Sequence, residues 1–201
     1  MKIKNKLSFT PCMWICFIAI LLVGNSCTKQ QDETIQSDYH ITFKLDGTPQ
    51  TFDQGDTCQI TQDNSTTPAT QVLSIRGHSS AYTMQHAAII EFALVGSNPV
   101  STGTYVDSSA NDAYSVFADY IPVPDETSAP GSNLYMAGDG VYTDGIQKGV
   151  QLTHHLTITI TSMSNGTIKG TFSGDFYEYD SDIRQAKITS ITNGDFYLKV
   201  Q

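Results

Sequence analysis

The run LTITITSMSNGTIKGTFS, residues 156–173, sets the class of the whole chain. Leu156, Ile158 and Ile160 alternate with Thr157, Thr159 and Thr161, which is the period-two pattern of a strand with one apolar face and one polar face. Asn165-Gly166 then interrupts the pattern with the pair best suited to a two-residue hairpin turn. Residues 167–173 return, with Ile168 and Phe172 on the apolar side. A β-hairpin follows from alternation and turn chemistry together.

The same signals extend outward. Residues 185–192 and 195–200 read as a second hairpin about Asn193-Gly194. Near the other end of the domain, residues 39–45 alternate through Ile41, Phe43 and Leu45, Asp46-Gly47 reads as a turn, and residues 50–52 as a short return strand. Residues 53–70 are polar and read as a loop. Residues 72–77 read as a strand, and 86–95 as a central strand buried on both faces. Residues 103–105 and 113–120 are weaker strands. Pro122, Pro124 and Pro130 make 121–132 a loop or a sheet edge, because proline cannot donate to a ladder. No long amphipathic helix follows Cys27. The expected fold is all-β: an antiparallel β-sandwich or open barrel of roughly 8–11 strands, a single domain over residues 39–201, after an N-terminal signal helix.

That signal occupies residues 1–26. Lys2, Lys4 and Lys6 form a positive n-region, and an apolar stretch, densest over 12–23, closes on Gly24-Asn25-Ser26-Cys27. The apolar core is shorter than the ~20 residues of a spanning helix and ends in small residues, as a cleaved signal does. A cysteine directly after such residues resembles the bacterial lipobox, although Gly24 stands where that pattern has a Leu-like residue. The resemblance implies acylation at Cys27 and membrane lipid as a partner, the acyl chains holding the protein by ~0.8 kcal/mol per buried methylene. The other readings are plain cleavage after Ser26 and an uncleaved signal anchor. Residues 28–38 are polar and read, with Cys27, as a lipidated tether; eleven flexible residues reach ~18 Å.

Three short motifs are similar to those of uncharacterised lipoproteins of Bacteroidetes. They are Phe43-Lys44-Leu45-Asp46-Gly47, the strand Gly166-Thr167-Ile168-Lys169-Gly170-Thr171-Phe172-Ser173, and Ile188-Thr189-Ser190-Ile191-Thr192-Asn193-Gly194-Asp195-Phe196. The resemblance implies a small β-sandwich on a lipid anchor, without an activity. Gly170 would be where a strand leaves out a side chain, beneath an aromatic ring. Gln31-Asp32-Glu33 beside Cys27 resembles the surface-export signals of these bacteria, which implies an outer-membrane anchor facing the cell surface; the alternative faces the periplasm.

Composition narrows the partners. The chain from Cys27 onward has 175 residues, enough for one sizeable core. With the signal lysines gone, eight basic side chains face twenty acidic ones, a net charge near −12. Nucleic acid is not expected as a ligand. Cys12 and Cys16 leave with the signal and Cys27 would be acylated, so Cys58 has no intradomain disulfide partner and reads as a core residue.

Candidate chemistry is thin. His154-His155 looks like a metal pair, but neighbours on a strand face opposite ways; His154 would align inward with Leu156 and His155 with the threonines. Asp139-Gly140 and Asp144-Gly145 could offer calcium carboxylates, and read more simply as turns. Asp175, Tyr177, Glu178, Tyr179, Asp180 and Asp182 crowd one expected loop, the weak candidate for a glycan or protein ligand. Paired carboxylates there could serve glycoside hydrolysis if set ~5 Å or ~6.5–9.5 Å apart across a cleft. Tyr105, Tyr114, Tyr120, Tyr135 and Tyr142 could add stacking surface for sugars. No nucleophile elbow, phosphate loop, paired-cysteine motif or zinc-protease helix is present, and no cofactor is implied. The chain reads as a non-enzymatic binding or interaction module, with a glycan-directed hydrolase or accessory protein as the alternative.

Overall fold

The computed structural model describes residues 38–65, 67–79, 88–107, 114–122, 134–142, 149–178 and 187–201. The signal, Cys27 and all but the last residue of the tether lie outside them. Eleven strands form: β1 His40–Leu45, β2 Thr48–Phe52, β3 Gln54–Asp63, β4 Thr70–His78, β5 Ile89–Gly96, β6 Gly103–Val106, β7 Tyr114–Ile121, β8 Tyr135–Gly138, β9 Thr157–Ser164, β10 Thr167–Glu178 and β11 Ile188–Lys199. They make one sheet in the order β2-β1-β11-β10-β8-β7-β5-β4-β3, with β9 on β10 and β6 on β9. Every pairing between strands is antiparallel. The sheet curls as a half-barrel, the open-barrel form of the expected all-β fold. Its curl brings β3 back to the end of β11, where Gln201 N–H donates to the Cys58 carbonyl at 2.9 Å.

β10 is the longest contact line in the sheet. Thr167–Ser173 pairs with β9, while Tyr177 and Glu178 pair with β8. Asn165 and Gly166 both take positive φ, 52° and 70°, so the β9–β10 turn is the tight primed hairpin that its sequence announced. Inside the curl, Phe172 sits among Phe43, Phe92 and Phe196, with ring centroids 4.2 to 6.5 Å away. Ile41, Ile90, Leu156 and Leu198 surround this aromatic centre in the same buried cluster.

Three expectations are corrected. The polar stretch 53–70 is not all loop: β3 runs through it and pairs with β4, Cys58 opposite Ile75 and Ile60 opposite Leu73. Among its described side chains the apolar inward positions are Cys58 and a half-buried Ile60, too few to reveal alternation among polar neighbours. β5 is not buried on both faces; Ile90, Phe92 and Leu94 are buried, and Ile89, Glu91, Ala93 and Val95 are half-covered. Asn193-Gly194 is not a hairpin, because β11 continues through it. Asn193 has φ 52° but Gly194 does not take positive φ. Between Phe172 and Gly174 of β10 there is one residue, and between their partners Gly194 and Ile191 there are two. The dipeptide is a β-bulge.

Close approach explains Gly170 and Gly194. A Cβ on Gly194 would lie 2.4 Å from the Phe172 carbonyl oxygen and 2.6 Å from its ring. On Gly170 it would lie 2.2 Å from the Thr159 oxygen and 2.4 Å from the Phe196 ring, so the strand does omit a side chain beneath an aromatic. Gly170→Ala and Gly194→Ala are each expected to lower the unfolding free energy by about 1–3 kcal/mol through overpacking. Gly166→Ala, with open space around it and only its left-handed backbone at stake, should lose about 1 kcal/mol. Urea unfolding of residues 28–201 measures the order, and a smaller loss at Gly170 than at Gly166 would contradict it.

Candidate functional site

The expected acidic loop begins inside β10, and that placement changes what its first residues can do. Asp175 and Tyr177 are only 4% and 1% exposed. Both sit beneath a strap, residues 149–156, whose Val150 and Leu152 cover the outer side of the sheet and whose last residue, Leu156, turns into the core. Val141, Val150 and Leu152 close over Tyr177, with Met136 and Tyr142 packed at the margin. Asp175 is the clasp. One oxygen accepts from the Thr153 N–H, the Thr153 hydroxyl and the His154 N–H at 2.8 to 3.0 Å; the other accepts from the Ser190 hydroxyl at 2.7 Å. Burial disfavours its charge, but the Ser190, Thr153 and His154 donors together outweigh burial and bring the carboxyl down to about 2. A carboxylate so fully engaged holds a strap and does not present itself to a ligand. Glu178 is half-buried, and its N–H donates to the Lys187 carbonyl. Tyr179, Asp180 and Asp182 lie outside the described residues.

The adjacent histidines do point to different partners. His154 Nδ1 is 3.2 Å from Asp175, and its side chain is 76% exposed, not inward as its register with Leu156 suggested. The strap is not a strand, so strand parity does not apply to it. His155 Nδ1 meets Asp107 at 2.5 Å, and the Tyr142 ring stacks on the imidazole with centroids 4.2 Å apart. Asp107 is 2% exposed; burial pushes its carboxyl up, against the Leu156 N–H and His155, which pull it down. Two buried aspartates thus pin one strap at adjacent residues, Asp175 at Thr153 and His154 and Asp107 at His155 and Leu156. Sequence reasoning found the histidines and missed both clasps, since Asp107 lies 48 residues from His155.

Asp139 also has a scaffold role: its carboxylate accepts from the Val116 N–H at 2.7 Å, continuing the β7–β8 ladder past Gly138. Asp144 lies outside the described residues. Among the described residues, no three His, Cys, Asp or Glu side chains gather as a metal site. Of the tyrosines, Tyr105, Tyr120 and Tyr135 are buried and Tyr142 lies against His155, so none of these four forms an open sugar platform.

Among the described residues, an open feature lies elsewhere, on the outer face of β9, β10 and β11. A shallow groove of about 340 Å³ is lined by Thr157, Thr159, Thr171, Ser173, Asn193 and Asp195 over the Phe172–Gly194 contact. The bulge at Asn193-Gly194 shapes its floor. His40 Nε2 meets the Asp195 carboxylate at 3.0 Å at one side. Beyond it, Lys169 Nζ lies 4.2 Å over the Tyr197 ring, and Tyr39 packs on the same ring. The threonines of this face were visible in the sequence as the polar half of an alternation. Their convergence with Asn193 and Asp195 depends on a register shift that no local pattern discloses.

Comparisons of the chain with protein families, with curated proteins and with solved structures return no match. The likeness to Bacteroidetes lipoproteins therefore rests on its three short motifs.

The Asp175 clasp gives a pH expectation. Its carboxyl is held below the ordinary value of ~3.9, so its stabilisation is present above that value and is lost as pH falls toward about 2. Asp175→Asn should cost about 1–3 kcal/mol at pH 7, because the amide presents donors to donors. It should also flatten the decline in stability between pH 4 and pH 2. Chemical unfolding at both pH values measures this; an unchanged acid limb in the variant would remove Asp175 as its cause.

Proposed function

We propose that this chain is a lipid-anchored, non-catalytic binding module of the outer membrane, whose contact face is the hydroxyl-lined groove on β9, β10 and β11. The observation that carries the reading is the groove itself: hydroxyl and amide side chains converge over the sheet, and its one carboxylate, Asp195, is engaged by His40. The hydrolase alternative drew on the carboxylates of 175–182, and Asp175 is occupied by the strap. The anchor rests on the signal-like N-terminus and Cys27, and display at the cell surface on the acidic Gln31-Asp32-Glu33 segment. The polar tether of 28–38 keeps the module close to its membrane.

Cys27→Ser is expected to abolish palmitate labelling and to leave the protein soluble or unprocessed; labelling that persists would remove the anchor. For the binding face, the domain 28–201 would be applied to arrays of glycans and of peptides beside Thr171→Lys, which fills the groove with a long cation. A specific ligand should lose at least ten-fold of its signal in the variant. A ligand indifferent to Thr171→Lys would place the contact face elsewhere.

A further inference from the structure

The groove is the middle of a longer pattern. Reading straight across the sheet, Thr104 of β6 is opposite Thr159, Thr159 is opposite Thr171, and Thr171 is opposite Asp195. Asp195 is opposite Thr42, and Thr42 is opposite Thr51 of β2. All six positions are exposed or half-exposed on the outer face. At one strand spacing per step the row is roughly 24 Å long. Only the Thr104 and Thr159 hydroxyls bond to one another, at 3.1 Å. Resting on the reading of this groove as the binding face, we infer that its ligand is an extended neutral polysaccharide lying across the strands along this row.

Chemistry selects that class. Hydroxyls both donate and accept, as the hydroxyls of a sugar do; five of the six strands place one in the row and β11 places the acceptor Asp195, each step comparable to one unit of an extended sugar chain. The groove lining contains no Lys or Arg, and its one carboxylate, Asp195, already meets His40. An anionic polymer would find an acidic chain of net charge −9 and no cation within the groove to receive it. A peptide adding as a strand would need an unpaired edge, whereas at the groove residues 157–160 of β9 and the facing parts of β10 and β11 are hydrogen-bonded on both sides; the edge strands β2 and β6 lie at the ends of the row. The groove spans three strands and the row six, so short and long saccharides should behave differently.

The test uses the full lipoprotein in detergent micelles, titrated with neutral β-glucan and mannan oligosaccharides from two to six units, and with polygalacturonate and heparin as anionic probes. Affinity for a neutral series should rise at least ten-fold from disaccharide to hexasaccharide, and the anionic probes should bind at least ten-fold more weakly. Thr171→Val should weaken every length. Thr51→Val, at the end of the row and near-isosteric, should weaken the hexasaccharide at least three-fold and leave the disaccharide unchanged. Melting curves for both variants confirm that the fold is retained. Equal affinity at all lengths, preference for the anionic probes, or a hexasaccharide indifferent to Thr51→Val would overturn the inference. If no glycan binds while another ligand on the arrays is lost in Thr171→Lys, the polysaccharide is wrong and the binding face stands. If nothing binds at all, both fall.

Discussion

The contact between Gly194 and Phe172 is the constraint on which the sheet depends. On a regular strand, residues of odd and even number face opposite ways. β11 nevertheless buries Ile191 and Phe196 in one core. The bulge at Asn193-Gly194 makes this possible by inserting one extra residue, which reverses parity midway. It does so on both ladders at once, since the register with β1 shifts between Thr42 and Lys44 at the same place. β9 uses the same device: its register with β10 shifts between Lys169 and Gly170, so that Ile158, Ile160 and Met163 all join the core side. Bulges increase local twist, and these lie where the sheet must bend to wrap its aromatic centre.

The outer face is divided by the same sheet into a covered half and an open half. Over β8 and β10, the strap hides Tyr177 and is held by two carboxylates whose hydrogen bonds come mainly from backbone N–H and hydroxyl donors. Over β9 and β11, threonines and Asn193 stand open. Asp107 and Asp175 of the first half are thus tied into the architecture, while the second half exposes hydroxyls, Asn193 and Asp195. Buried acceptors of this kind must be satisfied or they cost stability, which accounts for the number of donors gathered on Asp175.

Alternation was enough to read the β class, the Asn165-Gly166 hairpin and the core roles of Phe43, Phe172 and Ile158. It failed where the inward residues were few or the strand short. β3 hid behind its polar outer face, and β8, four residues ending at Gly138, gave no periodicity to detect. It also failed where one dipeptide has two uses. Asn-Gly is permissive enough for a turn and small enough for a bulge, and only the partner strand distinguishes them. Of the acidic loop, composition suggested a surface; the Ser190, Thr153 and His154 partners that bury Asp175 lie between 15 and 22 residues away and leave no local mark.

The order of strands has a consequence for how the chain acquires its structure. β11 lies between β1 and β10, although His40 and Asp195, which meet across this pairing, are 155 residues apart. Until β11 is available, the N-terminal hairpin β1–β2 has no neighbour within the sheet, and the aromatic centre lacks Phe196. Such topologies fold slowly, because long loops must close before their contacts form. The strand that completes the aromatic centre is therefore the last one that the chain supplies. A chain cut short before β11 would keep its hairpins and lose the strand that joins β1 to β10.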